Sequence, residues 1–162
     1  MNLSKLFHMQ KALDEYIEAE HDLQNVDLFD KKILALLVEL GELANETRCF
    51  KFWSLKKPSE RTVILEEFVD GVHFILSLGL TLSLETEASV TEEEPADSIT
   101  EQFLRIHEAA HLFKQDKSAE TYDRLLNGYF ALGRLLSFSA EEVEKAYVAK
   151  NEVNYERQKQ GY

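Results

Sequence analysis

Apolar side chains recur three and four residues apart along almost the whole chain, and this spacing limits the folds that the sequence can adopt. A period of 3.6 residues is that of an amphipathic helix, whereas a half-buried strand alternates at every second residue. Little interrupts the pattern, because the chain of 162 residues contains two prolines and six glycines. The sequence also lacks a βαβ alternation and a glycine-rich phosphate loop, which argues against Rossmann and P-loop folds. It therefore predicts an all-α helical bundle.

The pattern predicts five to six helices within a single domain that spans residues 1–162. Their predicted bounds are about 3–23, 28–47, 58–84, 98–115, 119–138 and 139–159. Pro58 is typical of a helix start, and Ser139 with Glu142 forms the pattern of a capping box. Residues 85–97 carry acidic and no basic side chains, which predicts a solvated, flexible loop.

The charge balance restricts the partners that we expect. Lys and Arg number 18 against 30 Asp and Glu, which gives a net charge of −12. Such a chain repels phosphate backbones and anionic lipid, so we expect neither a nucleic acid nor a membrane partner. Cys49 is the one cysteine, and the N-terminal residues do not have the apolar core of a secretory signal, so we expect a cytoplasmic protein.

Two pairs of carboxylates lie on consecutive predicted helices, Glu39 with Glu42 and Glu67 with Asp70. Each pair is spaced i and i+3 and lies at the edge of the apolar face of its helix. If the two helices pack antiparallel, four carboxylates meet at the edge of a dry interface, where unpaired like charges cost several kcal/mol. Mg²⁺ would relieve this repulsion and completes its shell with water and substrate phosphates. A solvated acidic helix face remains the alternative.

A second polar group lies on one face of the last predicted helix. Its members are Lys150, Asn151, Asn154, Arg157 and Gln158. Lys, Arg and amide side chains suit phosphate oxygens. The alternative is an exposed helix end whose basic residues complement the helix dipole.

These motifs resemble those of the all-α dimeric dUTP diphosphatases, which are related to the MazG-type nucleoside triphosphate pyrophosphohydrolases. The resemblance rests on the ExxE and ExxD pairs, separated by 24 residues, on the segments 49–53 and 70–74, and on the tail 150–162. It covers roughly residues 4–84 and 140–162.

The resemblance implies hydrolysis of dUTP to dUMP and pyrophosphate, with dUDP as a further substrate because water attacks the β-phosphate in this family. It implies two or more Mg²⁺ ions, for which Mn²⁺ can substitute, held by Glu39, Glu42, Glu67 and Asp70. Glu39 would activate the water. A homodimer is also implied, and the apolar segment 74–84 is the surface that we expect to be covered by the second subunit.

The remaining site residues follow from the resemblance by motif. It implies that phosphates are held by Lys150, Asn154, Arg157 and Tyr162. It implies that base and sugar are contacted by Gln10, Trp53 and Phe74, with the Phe leaving no room for a 2′-hydroxyl. Leu13 stands where a polar base-reading residue can occur.

Other interpretations have to be weighed against this one. His107, Glu108 and His111 match the HExxH zinc signature, but a zinc protease needs a third ligand and normally a sheet. Asp70 with His73 suggests a di-iron bundle, but such a site needs Glu-x-x-His on two helices. A MazG-like pyrophosphatase of broader specificity and a non-catalytic helical adaptor are further alternatives, which a test of nucleotide preference and of Mg²⁺-dependent binding would distinguish.

Overall fold

The computed structural model describes residues 1–92 and 94–161, and in these ranges the chain forms six helices and no strand. In chain order they are α1 (Leu3–Glu20), α2 (Phe29–Thr47), α3 (Arg61–Thr81), α4 (Ile99–Gln115), α5 (Ala119–Leu135) and α6 (Ala140–Lys159). The prediction of an all-α bundle of five to six helices is confirmed. None of the described helices combines the length and the apolar composition that crossing a membrane requires.

α2 and α3 pack against each other as an antiparallel hairpin. Near the start of α2, the Lys32 ammonium donates to the Thr81 hydroxyl at the end of α3, at 3.0 Å. At the other end of the pair, the Ser59 amide donates to the Glu46 carbonyl at 3.0 Å. Because the helices run in opposite directions, residues near the middle of α2 lie opposite residues near the middle of α3. This arrangement brings the two predicted acidic pairs onto facing helices.

α3 is the central helix of the bundle and contacts α1, α2, α5 and α6. Most residues from 68 to 79 are buried, with Phe68, Leu76 and Leu78 at 0% exposure. Other helices of the same chain cover the buried residues of the apolar segment 74–84, which was expected to be covered by a second subunit. The α2–α3 hairpin alone would not bury this apolar surface, but α1, α5 and α6 of the same chain also pack against α3.

Two tyrosines of α5 approach the backbone of α3 closely. The Tyr129 hydroxyl donates to the Phe68 carbonyl at 2.8 Å, and the Tyr122 hydroxyl donates to the Ile75 carbonyl at 3.0 Å. The first contact requires glycine at position 71, because a Cβ atom there would overlap the Tyr129 hydroxyl. α5 therefore packs directly against the turn of α3 that carries Glu67 and Asp70.

Three helices end three residues before their predicted ends, and one motif explains all three. Two residues beyond the last helical residue, Asp22, Ser83 and Ser137 have left-handed φ values of 54°, 57° and 60°. The next amide in each case, that of residues 23, 84 and 138, donates to a carbonyl five residues earlier, which is the Schellman pattern. The residue at each of these positions is apolar and continues the periodic pattern past the true helix end. Because the left-handed residue is not glycine, the sequence does not signal the stop.

The other helix boundaries lie close to the prediction. α3 begins at Arg61 rather than at residue 58, because Glu60 is still extended, with φ −57° and ψ 145°. α6 begins with the predicted capping box, in which the Ser139 hydroxyl accepts from the Glu142 amide and the Glu142 carboxylate accepts from the Ser139 amide.

The described part of the predicted acidic loop is attached to the helices that follow it. The Thr91 amide donates to the Asn127 side chain at 2.7 Å, and the Ala96 amide donates to the Gln102 side chain at 2.8 Å. Ala96 is also buried. These contacts fix two points of the connection between α3 and α4.

Candidate functional site

A cleft of about 360 Å³ opens between α1, α2, α3 and α6. Its polar lining falls into two parts along the α2–α3 hairpin. We call the carboxylates Glu39, Glu67 and Asp70 the acidic group, and the hydrogen-bonded side chains Gln10, Asp14, His73 and Ser77 the buried network. Glu39 and Asp70 line the cleft at one end, and all four network residues line it further along.

The acidic group has the spacing of a metal site. Glu39 from α2 and Glu67 and Asp70 from α3 each offer one carboxylate oxygen, and these oxygens lie within 4.8 Å of one another. All three residues are partly buried. Within residues 1–92 and 94–161 this is the group of three or more Asp, Glu, His or Cys side chains that meets this criterion. The fourth predicted ligand, Glu42, is exposed and lies outside it.

The carboxylates of the acidic group share an excess of negative charge. Burial, together with the nearby charges of Asp70, Glu42 and Glu67, raises the pKa of Glu39 to about 7. Burial and the charges of Asp70 and Glu42 likewise raise the pKa of Glu67. A divalent cation would relieve both effects, and three carboxylate oxygens are the hard donor set that Mg²⁺ prefers. The residues present therefore fit the metal that the sequence predicts.

The cation Lys150 of α6 reaches the acidic group. Its ammonium lies 2.7 Å from Asp70 Oδ2 and 2.8 Å from Glu66 Oε1, and its side chain is 9% exposed. Burial raises the pKa of Asp70, while the bond and the charge of Lys150 lower it. The predicted phosphate ligand Lys150 is thus paired with carboxylates in the structure.

The other predicted phosphate ligands are Asn154, Arg157 and Tyr162, and the structure describes the first two. Asn154 and Arg157 line the cleft from α6. Arg157 is near enough to Asp70 for its charge to lower the pKa of that carboxyl. Tyr162 lies outside the described residues. The structure therefore brings two of the four residues to the cleft wall and a third, Lys150, to Asp70.

Gln10, predicted to read the base, is the centre of the buried network. It is 3% exposed. Its Oε1 accepts from the Tyr147 hydroxyl at 2.7 Å and pairs with His73 Nδ1 at 2.8 Å, while its Nε2 donates to Asp14 Oδ1 at 2.7 Å. The Ser77 hydroxyl donates to the second Asp14 oxygen at 2.5 Å. Most of the hydrogen-bonding capacity of Gln10 is therefore used within the protein.

His73 is held neutral inside this network. It is 6% exposed, and its ring stacks on that of Tyr147 with 4.1 Å between the ring centroids. Burial, together with the charge of Lys150, lowers the pKa of His73 to about 3. Since Gln10 Oε1 is an acceptor, the hydrogen of the neutral imidazole lies on Nδ1. His73 therefore packs within the protein, between Gln10 and Tyr147.

Phe74 and Trp53, the other two predicted nucleoside contacts, lie in different places. Phe74 lines the cleft, next to the buried network on α3. Trp53 is 64% exposed and makes edge-to-face contacts with Phe50 and Phe52, at centroid distances of 5.9 and 5.0 Å. It is not among the described residues that line the cleft.

Asp14 and Ser77 are polar residues of the cleft wall that the sequence reasoning missed. Asp14 lies four residues after Gln10 on α1, and Ser77 lies four residues after His73 on α3. Each spacing puts the pair on one helix face, so this signal was available. Lys32 also lines the cleft, with its ammonium 3.6 Å from both Asp14 and Glu18.

The HExxH motif forms no metal site in the described part of the chain. His111 Nδ1 pairs with the His107 carbonyl at 2.9 Å, one turn earlier on the same helix. Neither residue belongs to a described group of three or more ligand side chains.

Comparison with known proteins bears on the whole chain. The model of a family described as dUTPase matches residues 2–162. No curated protein matches the sequence.

Proposed function

The chain belongs to the dUTPase family and is a hydrolase, a dUTP diphosphatase, and we propose that it cleaves dUTP to dUMP and pyrophosphate in a Mg²⁺-dependent reaction in the cleft. The observation that carries the proposal is the acidic group, whose three oxygens lie within 4.8 Å of one another. Asn154 and Arg157 line the cleft that Glu39 and Asp70 enter, so phosphate ligands and carboxylates share one space.

Glu39, Glu67 and Asp70 would hold the metal, with Glu42 as a fourth ligand and with Mn²⁺ as a substitute for Mg²⁺. The charge of Glu42 raises the pKa of both Glu39 and Glu67, which supports its nearness to the group. When bound, two or more such ions would neutralise the polyphosphate and lower the pKa of the attacking water. The carboxylates themselves fix where the reacting phosphate lies.

Glu39 would take the proton of the attacking water at its carboxylate. Half-burial beside three other carboxylates raises its pKa to about 7 in the metal-free protein. A bound divalent cation would lower this pKa, so Glu39 would be ionised and able to accept the proton when the metal is loaded. The water would attack the β-phosphate, so dUDP would also be hydrolysed.

The phosphates would be held from α6. Arg157 suits a bidentate contact to a phosphate, Asn154 donates an amide hydrogen, and Lys150 supplies a point charge. Tyr162 completes this predicted set. The four residues would keep the leaving group in line with the attacking water.

The nucleoside would occupy the part of the cleft that Phe74 and the buried network line. Phe74 against the sugar would exclude a 2′-hydroxyl. Gln10 and Trp53 complete the predicted contacts to base and sugar. Asp14 accepts one of the two amide hydrogens of Gln10, so the other is available to the base. Trp53 is not among the described residues that line the cleft, so it would contact the nucleotide from outside that lining.

A substrate panel tests this function. Purified protein would be given dUTP, dUDP, dCTP, dTTP and UTP, each with Mg²⁺, with Mn²⁺ and with EDTA, and released phosphate products would be measured. We expect turnover of dUTP and dUDP with either metal and none with EDTA. Equal turnover of all the nucleotides would favour the broader MazG-like pyrophosphatase, and turnover of dUTP in EDTA would contradict the metal site.

We also propose that the chain forms a homodimer. Its surface carries exposed apolar side chains that include Phe52 at 94%, Trp53 at 64%, Leu55 at 103% and Leu34 at 63%. Exposed apolar groups of this size are typical of interaction surfaces. Light scattering during size-exclusion chromatography would give twice the mass of the 18.7 kDa chain, whereas a monomer mass would contradict the proposal.

A further inference from the structure

The Lys150 ammonium is shared between two carboxylates that differ in surroundings. Asp70 Oδ2 lies 2.7 Å from it and Glu66 Oε1 lies 2.8 Å from it, and the two acids are one turn apart on α3. The Asp70 side chain is 18% exposed and that of Glu66 is 59% exposed. Asp70 belongs to the acidic group, whereas Glu66 does not.

A divalent cation that binds Asp70 meets this ammonium. Two positive charges at one carboxylate repel each other, so loading the metal weakens the bond from Lys150 to Asp70. Lys150 is 8% exposed, and a buried ammonium without a partner is costly. Glu66 is the second carboxylate already in contact with it.

We infer that Glu66 is a positioning residue, which holds the Lys150 ammonium when a divalent cation takes Asp70 and thereby favours loading of the metal. The inference rests on the proposed metal site. Without the charge of Glu66, Lys150 would pair with Asp70 alone and compete more strongly with the cation. Without Lys150, the competition would disappear and the charge of Glu66 would matter much less.

Direct binding of Mg²⁺ to nucleotide-free protein tests this inference by calorimetry. The proteins are the wild type, Glu66→Gln, Lys150→Met and the double variant, with Glu152→Gln as a control. Glu152 is exposed on α6, two residues after Lys150, so the control makes the same charge change without removing a partner of Lys150. We expect Glu66→Gln to weaken Mg²⁺ binding about two- to fivefold, the range for a partly exposed ion pair. Lys150→Met should tighten binding, and in its background Glu66→Gln should change binding no more than the control does.

The double-variant cycle isolates the coupling of Glu66 to Lys150. Equal weakening by Glu66→Gln with and without Lys150 would overturn the inference, since the charge would then act on the metal directly. So would an effect of Glu66→Gln no larger than that of Glu152→Gln. Wild-type protein that binds no Mg²⁺ would overturn the proposed metal site as well, whereas a wild type that binds but does not respond to Glu66→Gln overturns this inference alone. Far-UV circular dichroism should be the same for all five proteins.

Discussion

The acidic group and the buried network share one cleft but differ in whether the protein itself provides partners for their polar atoms. In the buried network, Gln10, Asp14, His73 and Ser77 bond to one another or to Tyr147, so most of their capacity is met by the protein. In the acidic group, carboxylates crowd together and two of them, Glu39 and Glu67, have raised pKa values. The first arrangement meets most of its polar atoms within the protein, whereas the second leaves repelling carboxylates that a cation would stabilise. This difference supports the proposal that the acidic group is the catalytic end of the cleft and the buried network the nucleoside end.

The largest expected effect comes from removing the charge of one carboxylate of the acidic group. Glu39→Gln should lower kcat/KM for dUTP about 10²–10⁴-fold, the usual contribution of a general base. Because the change removes one of several repelling charges, the unfolding temperature of the metal-free protein should not fall. Steady-state kinetics and thermal unfolding would measure both. The matched variant Glu42→Gln removes an exposed acid one turn away and should cost less activity, and equal losses would place Glu42 on a par with Glu39.

Metal should stabilise the acidic end and leave the network unchanged. Ligand linkage gives about 2.7 kcal/mol of added stability at a metal concentration 100 times Kd. For a chain of this size that is a rise in Tm of several degrees between EDTA and Mg²⁺. Differential scanning calorimetry would record it. Glu67→Gln should reduce the rise, while Ser77→Ala, in the network, should keep it, and an equal Tm in EDTA and Mg²⁺ would contradict the metal site.

The two ends should respond to pH in opposite windows. The pKa of Glu39 is raised from 4.5 to about 7, so its contribution to the stability of metal-free protein is full below pH 4.5 and is lost as pH rises through 7. The pKa of His73 is lowered from 6.5 to about 3, so its contribution is full above pH 6.5 and is lost as pH falls toward 3.

Thermal unfolding in EDTA between pH 4 and 8 would test both windows. The Tm of Glu39→Gln relative to wild type should increase with rising pH. The Tm deficit of His73→Gln should shrink with falling pH. Differences that stay flat across the range would contradict the charge states assigned to the two groups.

The smallest expected effect concerns the sugar. Phe74→Leu should raise the turnover of UTP relative to dUTP about tenfold, a typical size for a shape change in an apolar pocket. Competition assays with both nucleotides would give the ratio. Phe52→Leu makes the same chemical change at a side chain that is 94% exposed and should leave the ratio alone. An unchanged ratio in Phe74→Leu would remove Phe74 from the discrimination against ribose.

The fold followed from the sequence because helical periodicity and capping residues are local signals. The periodic pattern placed all six helices, and Ser139 with Glu142 marked the start of α6. Helix ends were less predictable, since Asp22, Ser83 and Ser137 adopt left-handed backbone where glycine is the usual signal. The apolar residue after each of them belongs to the core pattern without belonging to the helix.

For the site, residue spacing within one helix could be used for prediction, whereas contacts between residues distant in the sequence could not be predicted. The i and i+3 pairs predicted the acidic residues, and the structure brings Glu39, Glu67 and Asp70 together. No sequence pattern showed that Lys150 would bond to Asp70 and Glu66, 80 and 84 positions away. The sequence also did not predict the hydrogen bonds of the Gln10 amide oxygen to His73 and Tyr147, because those bonds join α1 to α3 and α6.

The close approach of Tyr129 to Gly71 has a consequence for mutational scans of this protein. Position 71 faces Tyr129 of α5, so any side chain there would push apart two helices, one of which carries Glu67 and Asp70. A variant library scored for turnover would therefore group Gly71 with the catalytic positions. A second score for the abundance of folded protein would separate them, since Glu39 variants should accumulate normally and Gly71 variants should not.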